Sequence, residues 1–447
     1  MTGSLELTIE KLVYGGDGLA HGPASERGAG KAIFLPFVLE RERVQARRLE
    51  EKPGFCRAVA ESVLEPSSAR VQPDCPHFGR CGGCHYQHAA YRHQLQTKAA
   101  ILLETLQRIG RLEIPPVITH PSPPWHYRNR TRLQVRGGRN FALGYFQFAS
   151  HDLLPVEQCP ISSPLINRAM TAAWQLGRAR HIGGVEEIEF FSNAADDQLL
   201  VGLTAPARAN PGPSSRNNHS SGPKLLDLAN GLREALPEMP GVALFWTSGR
   251  GPAREYPLEQ AKELLGVNRL VYRADGWEYQ VSAGSFFQTN RYLIDELIQL
   301  VTGDEHGESA LDLYAGTGLF SLPLSQKFRQ LTAVESSPFS FPDLKHNVPR
   351  TVTTRHQRVE DFLQALSPPR GVDLVVVDPP RSGLGDKAAA HLGRFPAARI
   401  TYVSCDPATL ARDLRTLVAA GFHIHQMHLI DLFPQTFHIE SVAKLVR

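Results

Sequence analysis

The chain has 447 residues, a formal net charge of +3, 42% hydrophobic and 21% charged residues. That is the composition of an ordinary globular protein with room for roughly three domains, and its charge is too small to announce a nucleic-acid binder by itself. No apolar run approaches the length of a membrane span and MTGSLELTIE lacks a secretory pattern, so a cytoplasmic protein with no membrane partner is expected, in which clustered cysteines point to metal or catalysis rather than disulfides.

Residues 1–65 alternate apolar and polar in short runs (LELTIEKLVYGG, KAIFLPFVLERERVQARRLEE, CRAVAESVLE) between glycine-rich turns, which predicts a small all-β barrel, with Cys56 a buried residue of one of its strands. Arg41, Arg43, Arg47 and Arg48 crowd one segment of it. The loop PDCPHFGRCGGCHYQH then carries Cys75, Cys81 and Cys84 as C-x5-C-x2-C, with Cys159 further on in VEQCP. Four thiolates suit a 4Fe-4S cluster or a zinc ion, and His77, His85 and His88 compete as ligands; spacing alone does not choose between the metals. From Tyr91 to Gly110 the spacing is helical and a glycine stands at the expected C-cap. Residues 125 to about 290 read as strands, hairpins and two helices, with RTRLQV turning at Gly137-Gly138 into FALGYF. There Arg128, Arg130 and Arg132 interleave with Trp125 and Tyr127, a mixture suited to phosphate contact and base stacking. The stretch PARANPGPSSRNNHSSGPK, 206–224, has almost nothing to bury and is expected to be a surface loop. From about 291 onward helices alternate with continuously apolar strands (ALDLY, QLTAVE, VDLVVVD, RITYVS), the pattern of a doubly wound parallel sheet. The expected division is thus 1–65 barrel, 66–290 cysteine loop and central α+β domain, and 291–447 catalytic domain, with helix 91–110 packing on the last.

In ALDLYAGTGLFSLPLS, Asp312 and Tyr314 precede Gly316 and Gly318 at a strand-to-helix turn, where glycine lets the chain turn sharply and a ligand approach the backbone. Glu335, nineteen residues past Gly316, closes the next strand, where a carboxylate can accept both ribose hydroxyls of a nucleoside. The loop lacks the longer dinucleotide spacing and no Lys-Ser/Thr pair follows, so S-adenosylmethionine fits better than a dinucleotide or a triphosphate. Asp361, on a later turn, is in reach of an adenine amino group, and Glu360 serves equally well.

VDLVVVDPPRSGLG ends a strand with Asp378 before two prolines and Arg381, a carboxylate aimed into the crevice beyond the sheet. In RITYVSCDPATLARDL, Cys405 falls between a strand and a helix, a position equally open to a nucleophile or a small buried residue. Gln288 stands in GSFFQTN, and Glu440 in FPQTFHIESVAKL, which reads as a terminal helix.

Together, LDLYAGTG, DPPRSG, SCDPATLARDL and FPQTFHIESV in this order resemble the RNA (uracil-5-)-methyltransferase family, and the barrel with its cysteine cluster resembles the ribosomal-RNA branch of it. The resemblance implies a class I S-adenosylmethionine-dependent methyltransferase domain, an OB-like RNA-binding barrel of TRAM type, and a 4Fe-4S cluster on Cys75, Cys81, Cys84 and Cys159, with a structural role. It implies methylation of carbon 5 of a 23S rRNA uridine by a monomer acting on ribosomal RNA. Cys405 is then the nucleophile toward carbon 6 of uracil, Glu440 the base that removes the carbon-5 proton, and Asp378 and Gln288 orient uracil beside the cofactor. Two alternatives are a transfer-RNA uridine methyltransferase and an RNA-binding module with a decayed catalytic site.

Overall fold

The computed structural model describes residues 4–22, 30–180, 183–206, 222–247, 262–365 and 371–447. At the N-terminal end β1 (Ser4–Thr8), β2 (Lys11–Leu12), β3 (Gly18–His21), β4 (Ala32–Leu35), β5 (Arg43–Glu51) and β6 (Phe55–Glu65) form one sheet in the order β1-β5-β6-β4-β3-β2. Its two edges, β1 and β2, are separated by only Ile9 and Glu10, so the sheet curls round on itself. Backbone bonds from Ile9 to the Glu42 carbonyl (2.9 Å) and from Glu10 to that of Leu19 (2.8 Å) stitch the junction. Inward residues of the alternating runs, among them Leu7, Ile33, Leu35, Val44 and Cys56, make its core, as expected of a period-2 pattern.

The cysteine loop leads into α1 (Tyr91–Thr105), which relaxes into a π-helical turn over Leu106–Gly110. Gly110 is not the left-handed cap expected of it; Arg111 takes that conformation (φ 54°). Gly110 is buried, and a Cβ there would lie 2.7 Å from Leu112 Cδ1 and 3.1 Å from the Ala411 carbonyl oxygen, so the residue is glycine to let the helix end approach the catalytic domain closely. Then β7 (Val117–His120) leaves for the catalytic sheet.

The middle region holds β8 (Arg130–Arg136), β9 (Ala142–Phe146), β10 (Leu153–Pro155), α2 (Pro164–Arg180), β11 (Glu187–Ser192), β12 (Leu199–Pro206), α3 (Gly222–Ala235), β13 (Gly241–Thr247) and β14 (Lys262–Gly266). Its sheet runs β10-β9-β8-β11-β12-β13-β14, packed on α2 and α3. The β8–β9 hairpin pairs Arg136 with Ala142, around the anticipated turn. Residues 207–221 of the expected surface loop lie outside the described residues. The hairpin of β15 (Arg269–Ala274) and β16 (Trp277–Ser282) packs on the catalytic core through Tyr272 and Tyr279.

The last region runs α4 (Ile294–Thr302), β17 (Gly307–Leu313), α5 (Ser321–Leu324), β18 (Phe328–Glu335), α6 (Ser340–Asn347), β19 (Thr353–His356), α7 (Val359–Ala365), β20 (Val372–Val377), α8 (Gly385–Arg394), β21 (Ala397–Ser404), α9 (Pro407–Ala419), β22 (His423–Ile430) and β23 (Glu440–Val446). The strand order is β19-β18-β17-β20-β21-β23-β22-β7, with β23 alone antiparallel to its neighbours. Both faces are covered: Leu311, Leu313, Val375 and Val377 join one core with α1, α8 and α9, while Ala310, Leu374 and Val376 join the other with α4 and the β15–β16 hairpin. Burial on both faces is why these strands read as continuous apolar runs. The chain winds outward from β17 to β19 and then returns to β20, so a switch point lies between β17 and β20, where ligands bind in such sheets.

Candidate active site

A cleft of about 720 Å³ opens at that switch point, and Gln288, Gly316, Glu335, Asp378, Cys405 and Glu440 all line it. Tyr314 and Gly316 leave β17 in left-handed backbone (φ 62° and 56°). The strained Tyr314 lines the cleft and is tied down by its hydroxyl, which donates to Glu360 at 3.2 Å. Nothing lies within 4 Å of a Cβ built on Gly316, leaving the backbone open to a ligand. The Glu335 carboxylate at the end of β18 accepts from the Gly316 amide (2.7 Å) and the Ser337 amide (2.5 Å), which fixes it beside the loop. An exposed loop backbone and a held carboxylate suit the nucleoside and amino-acid parts of S-adenosylmethionine.

Cys405 follows β21, and Asp406 caps α9 by accepting from the Ala408 (3.0 Å) and Thr409 (2.9 Å) amides. The ladder pairs Ser404 of β21 with Ser441 of β23, so one step further along it Cys405 meets Glu440. That glutamate is not on a terminal helix, as its sequence suggests, but opens β23 and is buried. The electrostatics are those of an acidic cleft. Burial, with Glu335 nearby, raises the Asp378 carboxyl to about 7; burial, opposed by Arg381 and reinforced by Asp378, raises Glu440 well above the carboxylate range. Burial and these two carboxyl groups push the Cys405 thiol up to about 12.

The tRNA (uracil-5-)-methyltransferase family profile matches residues 261–447. An RNA methyltransferase of Aquifex aeolicus whose activity is uncharacterised is 32% identical, over 99% of this chain and 98% of its own. The 23S rRNA (uracil(1939)-C(5))-methyltransferase of Salmonella choleraesuis is 30% identical over 95% and 94%. The chain belongs to the RNA (uracil-5-)-methyltransferase family. It shares its fold with the tRNA (uracil-54, C5)-methyltransferase of Pyrococcus abyssi, solved with S-adenosyl-L-homocysteine (TM-score 0.73, 22% identity, 99% and 100% covered).

Three residues expected to touch cofactor in this methyltransferase do not line the cleft. Asp312 is wholly buried beneath the glycine loop, accepting from the Ser321 hydroxyl, and burial raises its carboxyl to about 7. Asp361 is exposed on α7, while its neighbour Glu360 lines the cleft, because adjacent helical residues face different ways. Gly318 (φ 91°) packs toward Leu344 instead of lining the cleft. Arg381 and His438 also line it, although the sequence reading gave neither a role; their signal was position, three residues after Asp378 and two before Glu440.

The arginines expected on RNA are mostly engaged within the protein. Arg43 pairs with Glu6 and Glu65, Arg47 with Glu61, and Arg132 with Glu187 and Glu189. Arg130 is largely buried, bonded to Glu189 at 2.7 Å and stacked on Phe191. Arg128 lines a second cavity, and its buried Nε has no hydrogen-bond partner among the described residues. Arg41 is exposed and in no ion pair among the described residues.

That second cavity, of about 270 Å³, is lined by Cys75, Cys81, Cys84 and Cys159. Burial, opposed by backbone donors and increased by the other thiols, raises Cys75 and takes Cys81 to about 11. Among the described residues no three His, Cys, Asp or Glu side chains gather tightly enough to hold a single metal ion. His77 lines the cavity but His85 and His88 do not; His85 packs on Phe437 and His88 on Phe78. The loop is bonded directly to the catalytic segment 431–440. The His85 and Tyr86 amides donate to the Gln435 carbonyl (2.9 and 3.0 Å), Tyr127 Oη to that of Pro434 (2.9 Å), and the buried Lys98 Nζ to Asp431 (2.7 Å) and the Phe433 carbonyl (2.9 Å).

Proposed function

We propose that this RNA uracil-5-methyltransferase uses S-adenosylmethionine to methylate carbon 5 of a uridine in 23S rRNA, with Cys405 as nucleophile and Glu440 as base. The observation that carries the reading is the meeting of Cys405 and Glu440 across β21 and β23, inside the cleft at the switch point. Carbon 5 of uracil is a poor nucleophile. The Cys405 thiol gives its proton to a carboxylate lining the cleft as its sulfur adds to carbon 6, which forms the S–C6 bond, pushes the C5=C6 electron pair into the conjugated C4 carbonyl and gives carbon 5 enolate character. S-adenosylmethionine, when bound at the glycine loop, supplies an electrophilic methyl group. Glu440, with its raised proton affinity, is matched to taking the carbon-5 proton. As that proton leaves, its C–H pair re-forms C5=C6 and the S–C6 pair departs with the thiolate. Gln288 and Asp378, which both line the cleft, orient the uracil edge.

Four thiols round a cavity of this volume, with a guanidinium beside them whose buried Nε has no partner among the described residues, fit an anionic 4Fe-4S cluster better than zinc, which draws its sulfurs to within about 4 Å of one another. Cys75, Cys81, Cys84 and Cys159 would hold it, and it would fix the loop that supports residues 431–440. The curled N-terminal sheet takes the part of a TRAM-type RNA-binding module in a cytoplasmic monomer, with Arg41 at its exposed surface.

The test is RNA carrying 5-fluorouridine, whose fluorine Glu440 cannot remove as a proton. Wild type with S-adenosylmethionine should form a denaturant-stable adduct and Cys405→Ala none; 5-methyluridine formation by Cys405→Ala would overturn the mechanism. The fold shared with the Pyrococcus tRNA enzyme favours a second reading, a transfer-RNA target. Mapping 5-methyluridine in both RNAs from cells lacking the protein separates the two: loss from 23S rRNA alone is the expected result.

A further inference from the structure

His438 precedes Glu440 by two residues, and both line the cleft. Its ring packs against Phe433 (centroids 5.5 Å apart) and Phe437 (4.3 Å). Its Nδ1 lies 3.3 Å from Nη2 of Arg381. A guanidinium only donates, so Nδ1 is the acceptor and the single proton of the neutral ring is on Nε2. Burial, then Arg381 and more distant cations, hold the imidazole down to about 3, so it stays neutral at ordinary pH. Nε2 has no hydrogen-bond partner among the described residues. The cleft therefore contains a neutral N–H donor of fixed tautomer, two residues from Glu440 in a lining that also holds Glu335 and Asp378.

The reaction needs such a donor. When sulfur adds to carbon 6, negative charge collects on the C4 carbonyl oxygen of uracil, and an N–H donor facing that oxygen stabilises it. Arg381 directs one N–H of its Nη2 at the ring and so holds Nε2 as the donor. We propose that His438 is a catalytic residue, donating from Nε2 to uracil O4 as the enolate forms, and that Arg381 is a positioning residue that sets its tautomer. No proton is transferred: the hydrogen stays on Nε2, and the bond strengthens as charge builds. The inference rests on Cys405 addition and deepens it.

The experiment compares wild type, His438→Leu, His438→Gln and Cys405→Ala on 23S rRNA transcripts made with uridine or with 4-thiouridine, whose sulfur is a poor hydrogen-bond acceptor. Calorimetric binding of S-adenosylmethionine identifies the folded variants. Losing one such donor is expected to lower kcat by roughly 10²–10³-fold with little change in KM. His438→Gln, which retains an N–H, should recover part of that loss. The ratio of uridine to 4-thiouridine rates should fall in His438→Leu relative to wild type. A His438→Leu rate within about threefold of wild type, or the same ratio in both, overturns the inference while Cys405→Ala remains inactive. Methylation by Cys405→Ala instead overturns the nucleophile reading, and this inference with it.

Discussion

Two thiol sites in one chain are built in opposite ways. Cys405 stands where a strand ends and a capped helix begins, with Glu440 at the start of the neighbouring strand and Asp378 just past the end of β20, so the regular sheet sets most of its surroundings. Cys75, Cys81, Cys84 and Cys159 come from loops, more than seventy residues apart at the extremes, and meet round a cavity that β8 and β9 line but to which neither contributes a thiol. Carboxyl groups surround the first thiol, whereas the other thiols and a guanidinium surround the second. The first site is chemistry resting on a fold; in the second the fold rests on chemistry. Residues 431–438 connect them, bonded to the cysteine loop on one side and leading to Glu440 on the other.

If that contrast holds, substitutions at the two sites separate activity from stability. Cys405→Ala should lower methylation by at least roughly 10³-fold while leaving the melting temperature within a few degrees of wild type; a large loss of stability would make Cys405 structural. Cys84→Ser should behave in reverse, losing iron and sulfide by chemical analysis and lowering the melting temperature. The connection itself is tested by Lys98→Met. Lys98 and Asp431 are fully buried partners, and removing one leaves the other uncompensated, at a cost of about 3–5 kcal/mol in denaturant unfolding; a cost below about 1 kcal/mol would mean that the segment is held elsewhere.

The pH dependence of Asp312 gives a smaller effect. Its folded-state value of about 7 exceeds its ordinary 3.8, so the folded protein keeps a proton that the unfolded chain releases between those values. Stability from this group is full below about pH 4 and is lost as pH rises to about 7. Asp312→Asn should therefore flatten the stability profile, gaining of the order of 2–4 kcal/mol over wild type at pH 8 and nothing at pH 4. An equal difference at both pH values would place the cause outside titration. Least affected should be Tyr14→Phe, which removes a hydroxyl donating to the Cys405 carbonyl at 3.3 Å. That bond between the N-terminal sheet and the nucleophile turn is worth about 0.5–1 kcal/mol, so adduct formation should slow by less than about fivefold, and a larger loss would show the sheet setting the nucleophile's geometry.

What was legible in the sequence follows the range of the forces. Continuous apolar strands and the glycine loop are local patterns, and each lies where its pattern indicates. Glu440 was placed on a helix because ESVAKLV carries no strict alternation; burial on both faces removes it. The arginines' ion pairs were hidden for a different reason: Glu189, which engages Arg130 and Arg132, is nearly sixty residues away, and no local pattern reveals such a partner. Gly110 looked like a cap, and only its approach to α9 discloses its use.

The pairing of β7 with β22 has a consequence for biogenesis. Translation delivers Val117–His120 some three hundred residues before the strand it pairs with, and the middle sheet is made in between. β23, which fills the gap between β21 and β22, is synthesised after every other strand of that sheet. Until it arrives, a nascent chain carries Cys405 at the end of a strand with an unpaired edge and has no Glu440, so on the proposed mechanism an incomplete polypeptide would hold the thiol without the base that lets it release a uridine.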